Sequence, residues 1–153
     1  MDLETRQPLR DDAIYRMASN TKIVTSVALM MLQERGLFEL DDPLAKFLPE
    51  FGDMQVLQPN ANSATDVSPA ANLISVRHLL SHSAGLSYGF VEPDSLIDQT
   101  YLNNGVNGLG EKEIDLEELC LRIAKLPLAF EPGTSWRYSC LLYTSDAADD
   151  LGR

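Results

Sequence analysis

The chain has 153 residues, 44% of them hydrophobic and 23% charged. This balance suits one globular domain with a sizeable core and excludes disordered and collagen-like classes. A formal net charge of -11 argues against nucleic acid as a partner, because displacing counterions from phosphates needs clustered Lys and Arg. No stretch reaches the length of a bilayer-crossing helix, and Met1-Asp2-Leu3-Glu4 lacks the basic and apolar regions of a signal peptide.

In chain order, residues 13–17 form a short half-apolar lead-in, and Ser19-Asn20-Thr21 supply cap-type residues at which a helix should begin. Ile23, Val24, Val27, Ala28, Met31 and Leu32 recur at helical spacing, and Leu29 and Met30 make the segment apolar nearly all round. Such a pattern predicts a deeply buried helix ending at Gly36. Asp41-Asp42-Pro43 reads as a cap and a first-turn proline opening a short helix to Leu48, and residues 52–71 as a long polar loop. Ser75 is expected to cap a helix over 76–82 that stops near Gly85. Residues 88–110 read as a second long loop, 114–126 as an amphipathic helix ending before Pro127, and Glu131-Pro132-Gly133-Thr134 as a turn.

Strand signals are few. Long loops of this kind wall active sites, and they are equally what remains when the supporting sheet lies outside the sequenced piece. The dispersed acids Asp41, Asp42, Glu111, Asp115, Glu117 and Glu118 fit solvated helix faces and caps. Cys120 and Cys140 give neither a disulfide framework nor a zinc spacing, and Cys120 falls in an apolar helical stretch where a buried thiol is ordinary.

Ser19 and Lys22 are three apart at a helix start, which puts both side chains on one face with Cβ atoms roughly 5–6 Å apart. A serine hydroxyl is a weak nucleophile until a base takes its proton, and a lysine serves only if its ammonium form is disfavoured. Burial and the positive end of the helix dipole both act in that direction on Lys22. The same helix start would aim backbone N–H groups at an oxyanion beside Ser19. Against this stands the reading of Ser19 as a plain N-cap and Lys22 as a first-turn lysine extending to solvent. His78 and His82, four apart, have a zinc-compatible spacing, but Leu79 occupies the place of the metalloprotease Glu and no third ligand is evident. Tyr88 and Phe90 could line a cleft or pack as loop aromatics on their own scaffold. Trp136 and Tyr138 follow a Pro-Gly turn, as core anchors do.

Three ordered segments carry a resemblance. Tyr15-Arg16-Met17-Ala18-Ser19-Asn20-Thr21-Lys22, continuing through Met30-Met31-Leu32 and Leu40-Asp41-Asp42-Pro43 to Phe47-Leu48-Pro49, resembles the nucleophile region of class C β-lactamases and family VIII, penicillin-binding-protein-like esterases. The run from Arg77 through Leu79-Leu80-Ser81-His82-Ser83-Ala84-Gly85-Leu86 to Phe90 is similar to the segment that follows in that family, and Pro132-Gly133-Thr134-Ser135-Trp136-Arg137-Tyr138-Ser139 to the one bearing its catalytic tyrosine.

The resemblance implies an α/β (α+β) β-lactamase/transpeptidase-like fold, of which this chain is mostly the helical part with long loops and few strands. It implies a serine hydrolase working through an acyl-serine, with Ser19 as nucleophile and Lys22 and Tyr138 handling protons. It also implies that the helix bearing His78 and His82 is structural, and that no metal or cofactor is used. The substrate would be a small-molecule ester or lactam, with Tyr88 and Trp136 as candidate substrate contacts. Residues 86–90 and 136–139 look more like the esterase branch, which favours a short-chain carboxylesterase. β-Lactamase, D-amino-acid peptidase and a non-catalytic binding or scaffold role stay open, as does the oligomeric state. The resemblance is compatible with bacterial cytoplasm or periplasm.

Residues 1–139 are expected to form a partial domain, lacking the family's opening strands and its later Lys-Thr-Gly or His-x-Gly type motif. Residues 140–149 are foreign to the family. Back-translated as TGT CTC TTA TAC ACA TCT GAC GCT GCC GAC, they resemble a transposase-derived sequencing-library adapter, so 140–153 is expected to be a non-native tail. A chain with these residues would expose the apolar face of its nucleophile helix and be inactive as it stands.

Overall fold

The computed structural model describes residues 11–14, 17–89, 91–106 and 114–139. Tyr15, Arg16, Phe90, Glu111 and residues 140–153, with Cys140, lie outside the described residues. A 3-10 turn, Ala18–Asn20, leads into helix α1, Thr21–Glu34. The helix therefore starts two residues later than Ser19, and no side chain caps it. It closes where Gly36 takes φ 72 and Leu37 N–H donates to the Leu32 carbonyl at 3.2 Å.

The burial that the periodicity of α1 calls for is not found; its apolar face is exposed, as expected of a chain without the supporting sheet. None of its residues is buried, and Ile23 is 66%, Val24 55%, Val27 54% and Met31 50% exposed. The all-round apolar pattern calls for cover on every side, yet the core gathers elsewhere. It is built from Leu44, Phe51, Met54, Val56, Ile74, Leu86, Tyr101, Ile123 and Leu128, with no member from α1.

Two 3-10 turns follow, Leu44–Lys46 and Pro49–Asp53. Pro43 precedes the first in an extended conformation, so it stands outside the short helix it was expected to open. The span expected to be a polar loop contains an antiparallel pair, β1 Gln55–Leu57 and β2 Val67–Pro69, with Val56 opposite Ser68. Leu128 adds to β1 in parallel: its N–H donates to the Gln55 carbonyl at 2.8 Å and its carbonyl accepts from Leu57 N–H at 2.9 Å.

Helix α2, Val76–Leu80, has a capping box. His78 N–H donates to Ser75 Oγ, and Ser75 N–H donates to His78 Nδ1. It ends before His82, which takes φ 57, so His78 and His82 do not share a helix face as expected. Helix α3, Leu96–Asn103, lies within the second expected loop; Ser95 Oγ accepts from Asp98 N–H, and Ile97 and Tyr101 face the core. Helix α4, Leu116–Ala124, starts at an Asp115 cap and is shorter at both ends than expected. Cys120 is half-buried there, and burial raises its thiol pKa. The described elements are thus mainly helical, with long connections and two short strands. Among the described residues no helix is long and apolar enough to cross a membrane.

Gly85 locks the segment after α2 against the one after α4. Its carbonyl accepts from Ala129 N–H at 2.7 Å, its φ is 83, and a Cβ there would sit 2.4 Å from the Phe130 carbonyl oxygen. Gly85→Ala should therefore cost about 2–3 kcal/mol. Urea unfolding should show a lower midpoint at an unchanged slope; an unaltered midpoint would contradict this packing.

Candidate active site

Ser19 is set by its local backbone. Ala18 has φ 45, a left-handed conformation that costs an L-residue roughly 1 kcal/mol, and it turns the chain immediately before Ser19. Ser19 lies inside the 3-10 turn and does not act as the N-cap. The expected oxyanion donors are partly committed: Asn20 N–H donates to the Met17 carbonyl at 3.0 Å, and Thr21 N–H to the Ala18 carbonyl.

The three residues named from sequence come together. Ser19 Oγ and Tyr138 Oη are 2.8 Å apart, across 119 positions of sequence, and Lys22 Nζ donates to Ser19 Oγ at 3.4 Å. Lys22 Nζ also stands 4.9 Å from the centre of the Tyr138 ring, within cation–π range. The Ser19 hydroxyl thus lies between Lys22 Nζ and Tyr138 Oη, either of which can accept its proton when deprotonated.

Tyr138 is held from several sides. His82 stacks on it with ring centres 4.8 Å apart and planes tilted by 31°, and Tyr88 meets it edge-on at 6.1 Å. His82 also fixes the flanking backbone: its carbonyl accepts from Arg137 N–H at 2.9 Å, and its Nδ1 accepts from Ser139 N–H at 3.3 Å. The Nδ1 atoms of both His78 and His82 are thus occupied by backbone donors. Among the described residues no three His, Cys, Asp or Glu side chains gather as a metal site would require.

Of the two candidate substrate contacts, Tyr88 is buried with its ring edge-on to Tyr138, which agrees with a loop aromatic packed on its own scaffold. Trp136 is 66% exposed, so it is no core anchor, and its ring meets His82 edge-on at 6.1 Å. Two open hollows, one lined by Phe51, Met54, Gln55, Pro69 and Ile74 and the other by Gln58, Asn60, Thr65 and Val67, do not include Ser19 in their lining.

The sequence reading missed Asp98. Its carboxylate is fully buried: Oδ1 accepts from Arg137 Nη2 at 2.8 Å and from Ser87 Oγ, and Oδ2 accepts from Glu92 N–H at 2.6 Å. Arg137 also donates through Nη1 to Glu92 Oε2 at 3.0 Å and through Nε to Ser87 Oγ at 3.2 Å. Burial works against the Arg137 charge, but hydrogen bonds to Glu92 and Asp98 outweigh it and hold the guanidinium pKa above its ordinary value.

A profile of the Beta-lactamase family matches residues 1–145. The chain belongs to the β-lactamase family. It is 37% identical over 138 residues to the acyltransferase calJ of Penicillium decumbens, covering 88% of this chain and 31% of that protein. Identity to esterase EstB of Burkholderia gladioli is 34% over 142 residues, covering 92% and 33%. Among solved structures it superposes on EstCE1, described as a hydrolase with promiscuous acyltransferase activity. The TM-score there is 0.70 at 27% identity, over 99% of this chain and 41% of that one. Unliganded simvastatin synthase LovD from Aspergillus terreus gives 0.64 at 30% identity, over 93% and 35%. The chain thus spans about a third of the length of the curated relatives it matches, with the β-lactamase/transpeptidase-like fold of its structural neighbours.

Burial first, and the Lys22 charge second, push the His82 imidazole below its ordinary value of 6.5. Above pH 6.5 the imidazole is neutral both folded and unfolded. As pH falls below that value the unfolded chain takes up a proton that the folded one resists, so stability falls until the lowered folded pKa is passed. Urea titrations between pH 7.5 and 5 should show this loss, and His82→Asn, which tolerates the left-handed backbone, should flatten it. Equal pH slopes for the two proteins would contradict the placement of His82.

Proposed function

We propose that this chain is the nucleophile-bearing part of a longer acyl-transfer hydrolase, most specifically a short-chain carboxylesterase. The observation that carries this reading is the 2.8 Å contact between Ser19 Oγ and Tyr138 Oη, with Lys22 Nζ adjoining both side chains. With the Tyr138–Lys22 pair singly deprotonated, as phenol with amine or phenolate with ammonium, Ser19 Oγ attacks the ester carbonyl while its proton passes to that pair. The same pair returns a proton to the departing alkoxide, leaving an acyl-serine. Water activated by the pair then attacks that ester, releasing the acid and restoring the serine hydroxyl. Esterase EstB and the lovastatin esterase of Penicillium rubens, each 34% identical, support the esterase choice. The acyltransferases among the relatives favour a second reading, in which an alcohol replaces water as the acyl acceptor.

In the full-length protein, Ser19→Ala should abolish hydrolysis of a short-chain p-nitrophenyl ester, and Tyr138→Phe should lower kcat by ~10²–10⁴-fold. Added alcohol should divert product to the new ester only under the second reading. Full turnover by Ser19→Ala would sink both readings. A wild type unreactive with esters, with penicillin and with a fluorophosphonate probe would favour the non-catalytic role; hydrolysis of a cephalosporin or a D-amino-acid peptide in preference to the ester would favour the lactamase or peptidase alternatives.

The 153-residue chain by itself we infer to be inactive. Its α1 face is uncovered, and no strand among the described residues stands beside Ser19 to complete an oxyanion site. Residues 140–153 we attribute to adapter sequence. Resequencing the source gene across the Ser139 codon should replace Cys140-Leu141-Leu142 with a different continuation; recovering the same codons, or Ser19-dependent hydrolysis by the 153-residue chain, would overturn these two statements.

A further inference from the structure

We infer that the Asp98–Arg137 ion pair, braced by Glu92 and Ser87, is the device that positions Tyr138 for proton transfer, so that Asp98, Arg137 and Glu92 are positioning residues for the reaction. The inference rests on the reading of Tyr138 as a proton-transfer group.

Arg137 immediately precedes Tyr138, so fixing one restricts the other. Its backbone N–H is held by the His82 carbonyl. Its guanidinium uses Nη2 on Asp98, Nη1 on Glu92 and Nε on Ser87, leaving its planar fork little freedom to rotate. Asp98 belongs to α3, whose Tyr101 is fully buried and donates through its hydroxyl to the Pro127 carbonyl at 3.2 Å. The anchor for Arg137 is therefore a core helix. The Asp98 carboxylate touches neither Ser19 nor Lys22, so its effect on chemistry passes through the 137–139 backbone. A displacement of about 1 Å in a reacting group can cost ~10²-fold in rate, and Tyr138 Oη stands 2.8 Å from Ser19 Oγ.

The test is a mutant cycle in the full-length protein, read as kcat and KM for a short-chain p-nitrophenyl ester. Asp98→Asn and Arg137→Lys should each lower kcat by ~10–100-fold with KM nearly unchanged. Neither should lower kcat further when Tyr138→Phe is already present, because a group that acts only through Tyr138 has nothing left to position. Should Asp98→Asn fail to fold, Glu92→Gln carries the same test, because the Glu92 side chain is 63% exposed and its loss leaves no buried charge unpaired. It should give a smaller fall in kcat with the same dependence on Tyr138. An unchanged kcat, or a loss that persists in full in the Tyr138→Phe background, would overturn the positioning role. A Tyr138→Phe protein as active as wild type would instead overturn the reading of Tyr138 itself.

Discussion

A carboxylate with no solvent exposure has to be paired, and among the described residues Asp98 is the charged group to which that requirement applies most severely. Its partners come from two stretches separate from α3: Ser87 and Glu92 after α2, and Arg137 near the end of the described residues. Removing one member of such a pair typically costs about 3–5 kcal/mol, because the survivor is left buried and charged. The pair therefore specifies how the 83–92 and 131–139 segments lie against α3. Gly85, the Pro132-Gly133 turn and the His82 carbonyl reinforce the same alignment through backbone contacts.

This alignment brings Tyr138 to Ser19. The serine belongs to a turn strained at Ala18 and leading into a helix that contributes nothing to the core, whereas the tyrosine belongs to a segment tied to the core by an ion pair and an imidazole. The candidate site thus joins a firmly anchored tyrosine to the serine of a helix whose apolar face is uncovered among the described residues. With the chain spanning about a third of its curated relatives, such an arrangement is what a nucleophile-bearing segment would look like apart from the rest of an acyl-transfer hydrolase.

The residues that the structure brings together at the candidate site were legible in the sequence for specific reasons. Ser19 and Lys22 lie close in sequence, so local spacing suggested them, and Tyr138 followed from the resemblance of its segment, since nothing local links positions 119 residues apart. Ser75 and Asp115 were readable as caps or cap-rich starts because capping is a local interaction. Helix α3 was not: Leu96-Ile97-Asp98-Gln99-Thr100-Tyr101 has only Ile97 and Tyr101 at core spacing, and its buried Asp98 reads as a surface residue until Arg137 is known to meet it. The β1–β2 pair was missed because three-residue strands are too short for alternation to register. For α1, periodicity reported what the helix needs to bury, while the expectation that its supporting sheet lies outside this chain agreed with the exposed face that is found.

The claim on which the functional account depends is that Ser19 becomes acylated. The most direct measurement is peptide mapping by mass spectrometry of the full-length protein, quenched in acid during turnover of a short-chain p-nitrophenyl ester. The account predicts that the acyl group is found on the peptide containing Ser19, and that it accumulates in a variant slowed at Tyr138. Steady turnover with no acyl group on Ser19, or with the acyl group on another side chain, would contradict it.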